Sequence, residues 1–194
     1  MKLFKFLRCL ILLSLITQLY GCAVVAVGGA AAATGTAVAD RRTTGTLIED
    51  QTIEVKALKA IHDDADLNKQ AHINVTSYNT IVLITGETPT DAMRQKAMEL
   101  VKNVDKVTHV YNELTIAAPS SIVSRSSDSY ITTKVKTQFF ADKNVSGIQF
   151  KVVTEKGVVY LMGIVSRAES EIATEIARQT GGVQKVVKLF QYSD

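Results

Sequence analysis

The stretch FKVVTEKGVVYLMG, Phe150 to Gly163, decides the fold because it occurs twice: INVTSYNTIVLITG, Ile73 to Gly86, matches it 77 residues earlier in a chain of 194. Self-similarity at this distance marks one structural unit used two times. Both stretches place β-branched and aromatic residues on either side of a short polar break, the composition of two strands joined by a tight turn. Glu155, Lys156 and Gly157 make the break in the second copy. Tyr78-Asn79 is expected to make it in the first, since Asn tolerates a positive φ.

Working outward, AMELVKNVDKVTHVYNEL (Ala97 to Leu114) matches ATEIARQTGGVQKVVKLF (Ala173 to Phe190) at an offset of 76. Upstream, DQTIEVKALKAI from Asp50 faces DSYITTKVKTQF from Asp128, with Ile53 opposite Ile131 and Ile61 opposite Phe139. Ile131, Val135 and Phe139 stand four apart and so share one helical face, with Asp128 or Ser129 as the expected N-cap. After Gly163, Ser166 and Glu169 read as a capping box, Ala168, Ile172 and Ile176 as an apolar stripe, and Gly181 as the stop. VQKVVKLFQY closes the unit as a last strand. The pattern is an α+β fold: two tandem αββαβ modules, each a three-stranded mixed sheet packed on two helices. They are expected at 46–116 and 130–194, separated by a Ser-rich linker at 117–129. A module of this size has a marginal core alone, and the sequence leaves open whether the two pack together.

The N-terminus predicts export. MKLFKFLR supplies three cations before CLILLSLITQL, an apolar core of signal-peptide size that is too short for a span of about 20 residues. Leu19, Tyr20, Gly21 and Cys22 resemble a bacterial lipobox, which implies a signal peptide at 1–21 and acylation of Cys22 with a diacylglycerol and a further acyl chain such as palmitate. Cys9 would leave with the signal, so the mature chain would carry no free thiol and no disulfide. Ala23, where retained lipoproteins carry Asp, implies the outer membrane, with the lipid on the periplasmic face. Residues 22–45 read as the lipidated Cys and an Ala/Gly/Val-rich tether.

A helix start Ile-x-x-x-Val, a V-x-L-x-G strand and a closing G-V-x-x-V strand resemble the BON domain of bacterial envelope proteins. Ile131, Val135, Val159, Leu161, Gly163, Gly182, Val183 and Val186 carry the match in the second copy. The first departs at Lys106, where a glycine is expected, and at Ala57, which replaces the helix valine. Together with Cys22, the two copies resemble a dual-BON outer-membrane lipoprotein. That resemblance implies a role in envelope integrity and lipid binding by the second module.

Charge and motifs exclude other classes. The first eight residues hold three cations, leaving 19 Lys and Arg against 19 Asp and Glu, with no basic surplus for nucleic acid. His62, His72 and His109 show no metal-ligand spacing, and His72 and His109 are expected to face solvent. Asp63, Asp64 and Asp66 read as a solvated loop. No nucleophile elbow, Walker loop or dinucleotide fingerprint is present, so no enzyme, cofactor or metal is expected. Residues 46–118 carry a formal −4 and residues 120–194 a formal +3, which favours anionic lipid such as phosphatidylglycerol or cardiolipin at the second module. The expected headgroup site is Gly163, Ile164, Val165 and Arg167 at a helix N-terminus, with Tyr130 and Phe140 as exposed aromatics. The rival reading is a protein adaptor whose acidic first module, or both modules, binds an envelope partner such as outer-membrane assembly machinery or peptidoglycan-associated proteins.

Overall fold

The structure, a computed structural model, describes residues 40–194. The signal peptide at 1–21, Cys22 and the tether up to residue 39 lie outside the described residues. The first module comprises α1 (Thr44–Asp63), the short α2 (Ala65–Gln70), β1 (His72–Tyr78), β2 (Ile81–Thr88), α3 (Asp91–Lys102), β3 (His109–Asn112) and β4 (Thr115–Ile116). The second comprises α4 (Ile122–Ala141), a 3-10 turn at Gly147–Gln149, β5 (Phe150–Glu155), β6 (Val158–Val165), α5 (Arg167–Gln179) and β7 (Lys185–Tyr192). In each, the middle strand pairs antiparallel with the strand before it and parallel with the strand after it. This is the expected mixed αββαβ unit; α2 and the short β4, parallel to β2, are additions in the first copy.

Both leading helices start earlier than their apolar stripes suggest. Thr43 and Ser121 are the N-caps, accepting from the N–H of Thr46 and Ser124. Residues 122–129, expected in the linker, therefore belong to α4. Their serines do not break the helix because the hydroxyls donate back to carbonyls one turn earlier, Ser126 to Ile122 and Ser129 to Arg125. Asp128 is thus not an N-cap. It is buried in mid-helix, and its carboxylate accepts the N–H groups of Lys156 and Gly157. Asp50 does the same for Asn79 and Thr80, each at 2.8 Å. Both turns put two successive residues at positive φ: 50° and 65° at Asn79 and Thr80, 49° and 74° at Lys156 and Gly157. The first turn is therefore Asn79-Thr80, one step later than expected, and Tyr78 ends β1. A β-branched residue is strained at that φ, and the two hydrogen bonds to Asp50 hold it there.

The faces of the two leading helices pack as expected. Ile53, Ala57 and Ile61 are buried in one core, and Ile131, Val135 and Phe139 in the other. On α5 the buried residues are Ser170, Ala173 and Ala177, with Ile172 and Ile176 partly covered and Ala168 exposed, so the stripe is rotated from the expected one. That helix ends at Gln179, and the positive φ of the following turn falls on Gly182 at 104°.

The strands explain their continuous apolar runs. Val82 and Ile84 face the first core and Val159 and Leu161 the second, whereas Leu83, Tyr160 and Met162 point the other way. These last residues, with Tyr78 and Leu189, form a third cluster between the two sheets. Each middle strand is therefore covered on both faces, by helices and by the partner sheet. Opposite charges meet across the same boundary: Lys151 lies 3.3 Å from Glu54 and Lys156 2.8 Å from Glu87. The modules supplement their two marginal cores with this shared third cluster, within one compact unit. Among the described residues no helix is long and apolar enough to cross a membrane.

Candidate functional site

Strand β6 does not stop at Gly163 but continues to Val165, paired with β7 as far as Tyr192. Val165 is therefore buried in the second core, and Gly163 is buried because a Cβ there would come within 2.6 Å of the Gln149 carbonyl oxygen. Ile164 packs against the cluster between the sheets, and its carbonyl accepts from Arg41 at 2.8 Å. Only Arg167 of the four is exposed. Its N–H, at the start of α5, donates to the Asp194 carboxylate at 3.2 Å, and its guanidinium lies 4.6 Å from the Tyr192 ring centre. Glu169 completes the capping box and pairs with Arg41 at 2.8 Å, which holds its carboxyl below the ordinary value. The anion position at this helix end is thus filled by the chain's own carboxylates. The expected loop of Gly163, Ile164 and Val165 does not open to solvent.

The exposed aromatics assemble elsewhere. Tyr130, expected at a helix start, lies within α4 and is 66% exposed, and Phe140, near its end, is 64% exposed. At 100° per residue they share the outward half of the helix with Val123. Lys134 holds its ammonium 5.3 Å from the Tyr130 ring centre. Phe140 lies against Gly147, where a Cβ would approach the ring to 2.9 Å, and the next residue, Ile148, is itself exposed. A recess of about 470 Å³ is lined by Phe140, Lys143, Ile148 and Glu169. Lys136 and Lys143 are exposed beside it. At the matching positions of α1 stand Thr52 and His62, so the first module lacks both aromatics.

Two residues that the sequence did not single out fix where the chain enters this site. Arg41 donates its N–H to Gln149 at 3.2 Å and its side chain to Ile164 and Glu169. Arg42 pairs with Asp40 and with Asp50, and sits 3.9 Å from the Tyr78 ring centre. Residue 41 is thereby held against the second module at Glu169, which also lines the Phe140 recess, and residue 42 against Asp50 of the first. No local motif marks Arg41, because its partners lie more than a hundred residues away.

His62 and His109 are exposed, the latter edge-on to Tyr111. His72, expected to face solvent, is instead turned toward Glu87, with Nδ1 3.4 Å from the carboxylate. Asp64 is no loop residue: it caps α2 through the Leu67 N–H and pairs with Lys96, which lowers its pKa.

The BON domain family matches residues 49–118 and 127–194. Outer membrane lipoprotein DolP of Haemophilus influenzae is 40% identical over 95% of each chain. The 21 kDa hemolysin of Actinobacillus pleuropneumoniae is 37% identical over 79% of each, and osmotically-inducible protein Y of Escherichia coli 32% over 73% of this chain and 72% of that protein. Among solved structures, the C-terminal domain of CdsD, the structural protein of the type III secretion system of Chlamydia trachomatis, aligns over 73% of this chain and 65% of its own. That alignment has 12% identity and a TM-score of 0.29, and nothing further rests on it.

Proposed function

The chain belongs to the BON family, and on that premise we propose that it is a non-catalytic outer-membrane lipoprotein, anchored through Cys22 on the periplasmic face, whose second module docks on anionic phospholipid and so helps maintain membrane integrity. One observation carries the reading. The residue at which the tether joins the folded unit, Arg41, is fastened to Glu169 beside exposed Phe140 and Ile148. A lipid anchor entering there presents the α4 aromatics to the leaflet that holds it. Inserting such side chains gains about 25 cal/mol per Å² of apolar surface removed from water. Lys134, Lys136 and Lys143 each add about 1 kcal/mol near an anionic leaflet. The formal +3 of the second module is not itself the attraction, because Lys151 and Lys156 are engaged by Glu54 and Glu87.

The test uses the unacylated chain from Val38 onward. A start at Thr46 would remove Arg42, which supports Asp50. It should sediment with phosphatidylglycerol or cardiolipin vesicles at low salt and less so at high salt. Phe140→Asp with Ile148→Asp should weaken binding at least tenfold at an unchanged melting midpoint; undiminished binding would sink the site.

The adaptor reading has its own support: Ile48 and Val55 are 61% and 68% exposed on α1, where a groove is bordered by Glu49, Lys56 and Asp105. Failure of the wild-type chain to sediment would favour that surface and an envelope protein as partner.

A further inference from the structure

Where the polar ends of the two sheets meet, three ligand-type side chains converge. His72 and Glu87 are cross-strand partners on β1 and β2, and Glu155 ends β5 in the other module. One donor atom from each lies within 4.8 Å of the others. Glu87 is fully buried and Glu155 is 7% exposed. His72 Nδ1 and Glu155 Oε1 are both closed off from solvent and have no hydrogen-bond partner. Glu87 is held on one oxygen by Lys156 and on the other by the Ser120 N–H, and that second oxygen faces His72. Asn74 donates to Glu155 Oε2, leaving Oε1 aimed inward.

The repeat sharpens the oddity. At the offset of 77, His72, Glu87 and Glu155 correspond to Gln149, Ile164 and Tyr78 at the opposite end of the interface. There an aliphatic and an aromatic side chain pack in the shared cluster, and the Tyr78 hydroxyl donates to the Gln149 carbonyl. At the polar end the same two places hold carboxylates, whose burial is costly without a cation. Lys156 supplies one positive charge against two acids. Burial, then the charges of Glu87 and Asp128, push the Glu155 carboxyl above its ordinary value.

We propose that His72, Glu87 and Glu155 form a binding site for a divalent transition cation of the zinc class that joins the two modules. The donor set of one imidazole and two carboxylates suits zinc and needs no thiolate. The 3.4 Å between His72 Nδ1 and the Glu87 oxygen is long for a hydrogen bond but matches two ligands about 3.3 Å apart on a tetrahedral zinc at about 2.0–2.1 Å. Ser120, whose N–H holds Glu87, adds a buried Oγ with no partner, a fourth candidate donor. A cleft of about 420 Å³ lined by His72, Asn74, Asp128 and Glu155 borders the site. Imidazole and carboxylates bind a metal in their unprotonated forms, so affinity should fall in acid.

The experiment uses the full-length chain in detergent, stripped with EDTA and titrated with ZnCl₂ by calorimetry. One equivalent should bind and raise the melting midpoint. Glu155→Gln and His72→Ala should each weaken binding at least tenfold, and His109→Ala should leave it unchanged. Glu155→Gln keeps the shape and removes a buried charge, so it should fold, and its unaltered circular dichroism checks this. Co²⁺ in place of zinc should give a visible d–d band that Glu155→Gln abolishes. No binding, a colourless cobalt complex, or zinc affinity that survives Glu155→Gln would overturn the site.

Discussion

In the first module Asp50 accepts from Asn79, Thr80, Ser77 and Arg42, whereas Asp128, at the matching place on α4, accepts from Lys156 and Gly157 alone. The difference follows the turn each must hold. Gly157 enters positive φ at no steric cost, while Thr80 at 65° must be kept there. The outward faces differ the other way: α4 shows Tyr130 and Phe140 where α1 shows Thr52 and His62. One fold has thus put its extra polar support in the first copy and its extra exposed aromatic surface in the second.

The largest expected effect tests the aspartates. Asp50→Ala leaves the N–H groups of Asn79 and Thr80 and the Ser77 hydroxyl unpaired, takes from Arg42 one of its two carboxylates, and should cost about 3–5 kcal/mol in chemical denaturation, against about 2–3 for Asp128→Ala. Equal losses would mean that the first turn needs no additional support. Next, Ile164→Asp puts a carboxylate into the cluster between the sheets and should cost about 2–3 kcal/mol of stability. Lost vesicle binding without lost stability would instead restore Ile164 to the lipid face. Tyr130→Thr with Phe140→His copies the first module's residues onto the second. Vesicle sedimentation should then fall at least tenfold, about 1.4 kcal/mol, with the melting midpoint unchanged. The smallest effect concerns the loop before the last strand, where Lys106 takes a φ of 73° at the place Gly182 occupies in the other copy. Lys106→Gly should stabilise the chain by about 1 kcal/mol, since its 3.4 Å contact with Glu49 is solvent-exposed. A loss of stability would show that the loop had never paid for a left-handed lysine.

Much of this was legible because it is local. The capping box at Ser166 and Glu169 and the faces of Ile53 and Ile131 depend on neighbours within a turn of helix. Asp128, expected as an N-cap, belongs to mid-helix for the same reason: hydroxyls that bond backward hide the true helix start, and the turn Asp128 holds lies 28 or 29 residues on. The segment after Gly163 is strand rather than open loop because the parallel pairing of β6 with β7 extends past Gly163, which nothing in SRAE announces. Exposure of Tyr130 and Phe140 could be inferred from their adjacency to core positions.

The sequence by itself determined the duplication, the αββαβ order and the inward face of each module's leading helix, since periodicity and turn chemistry act over a few residues. Only the tertiary structure decided that the two sheets cover one another, that Arg41 pairs with Glu169 of the second module, and that His72 meets Glu155 across the boundary. Those contacts join residues far apart in the chain, and they are chosen by which surfaces bury apolar area and balance charge once both modules are formed.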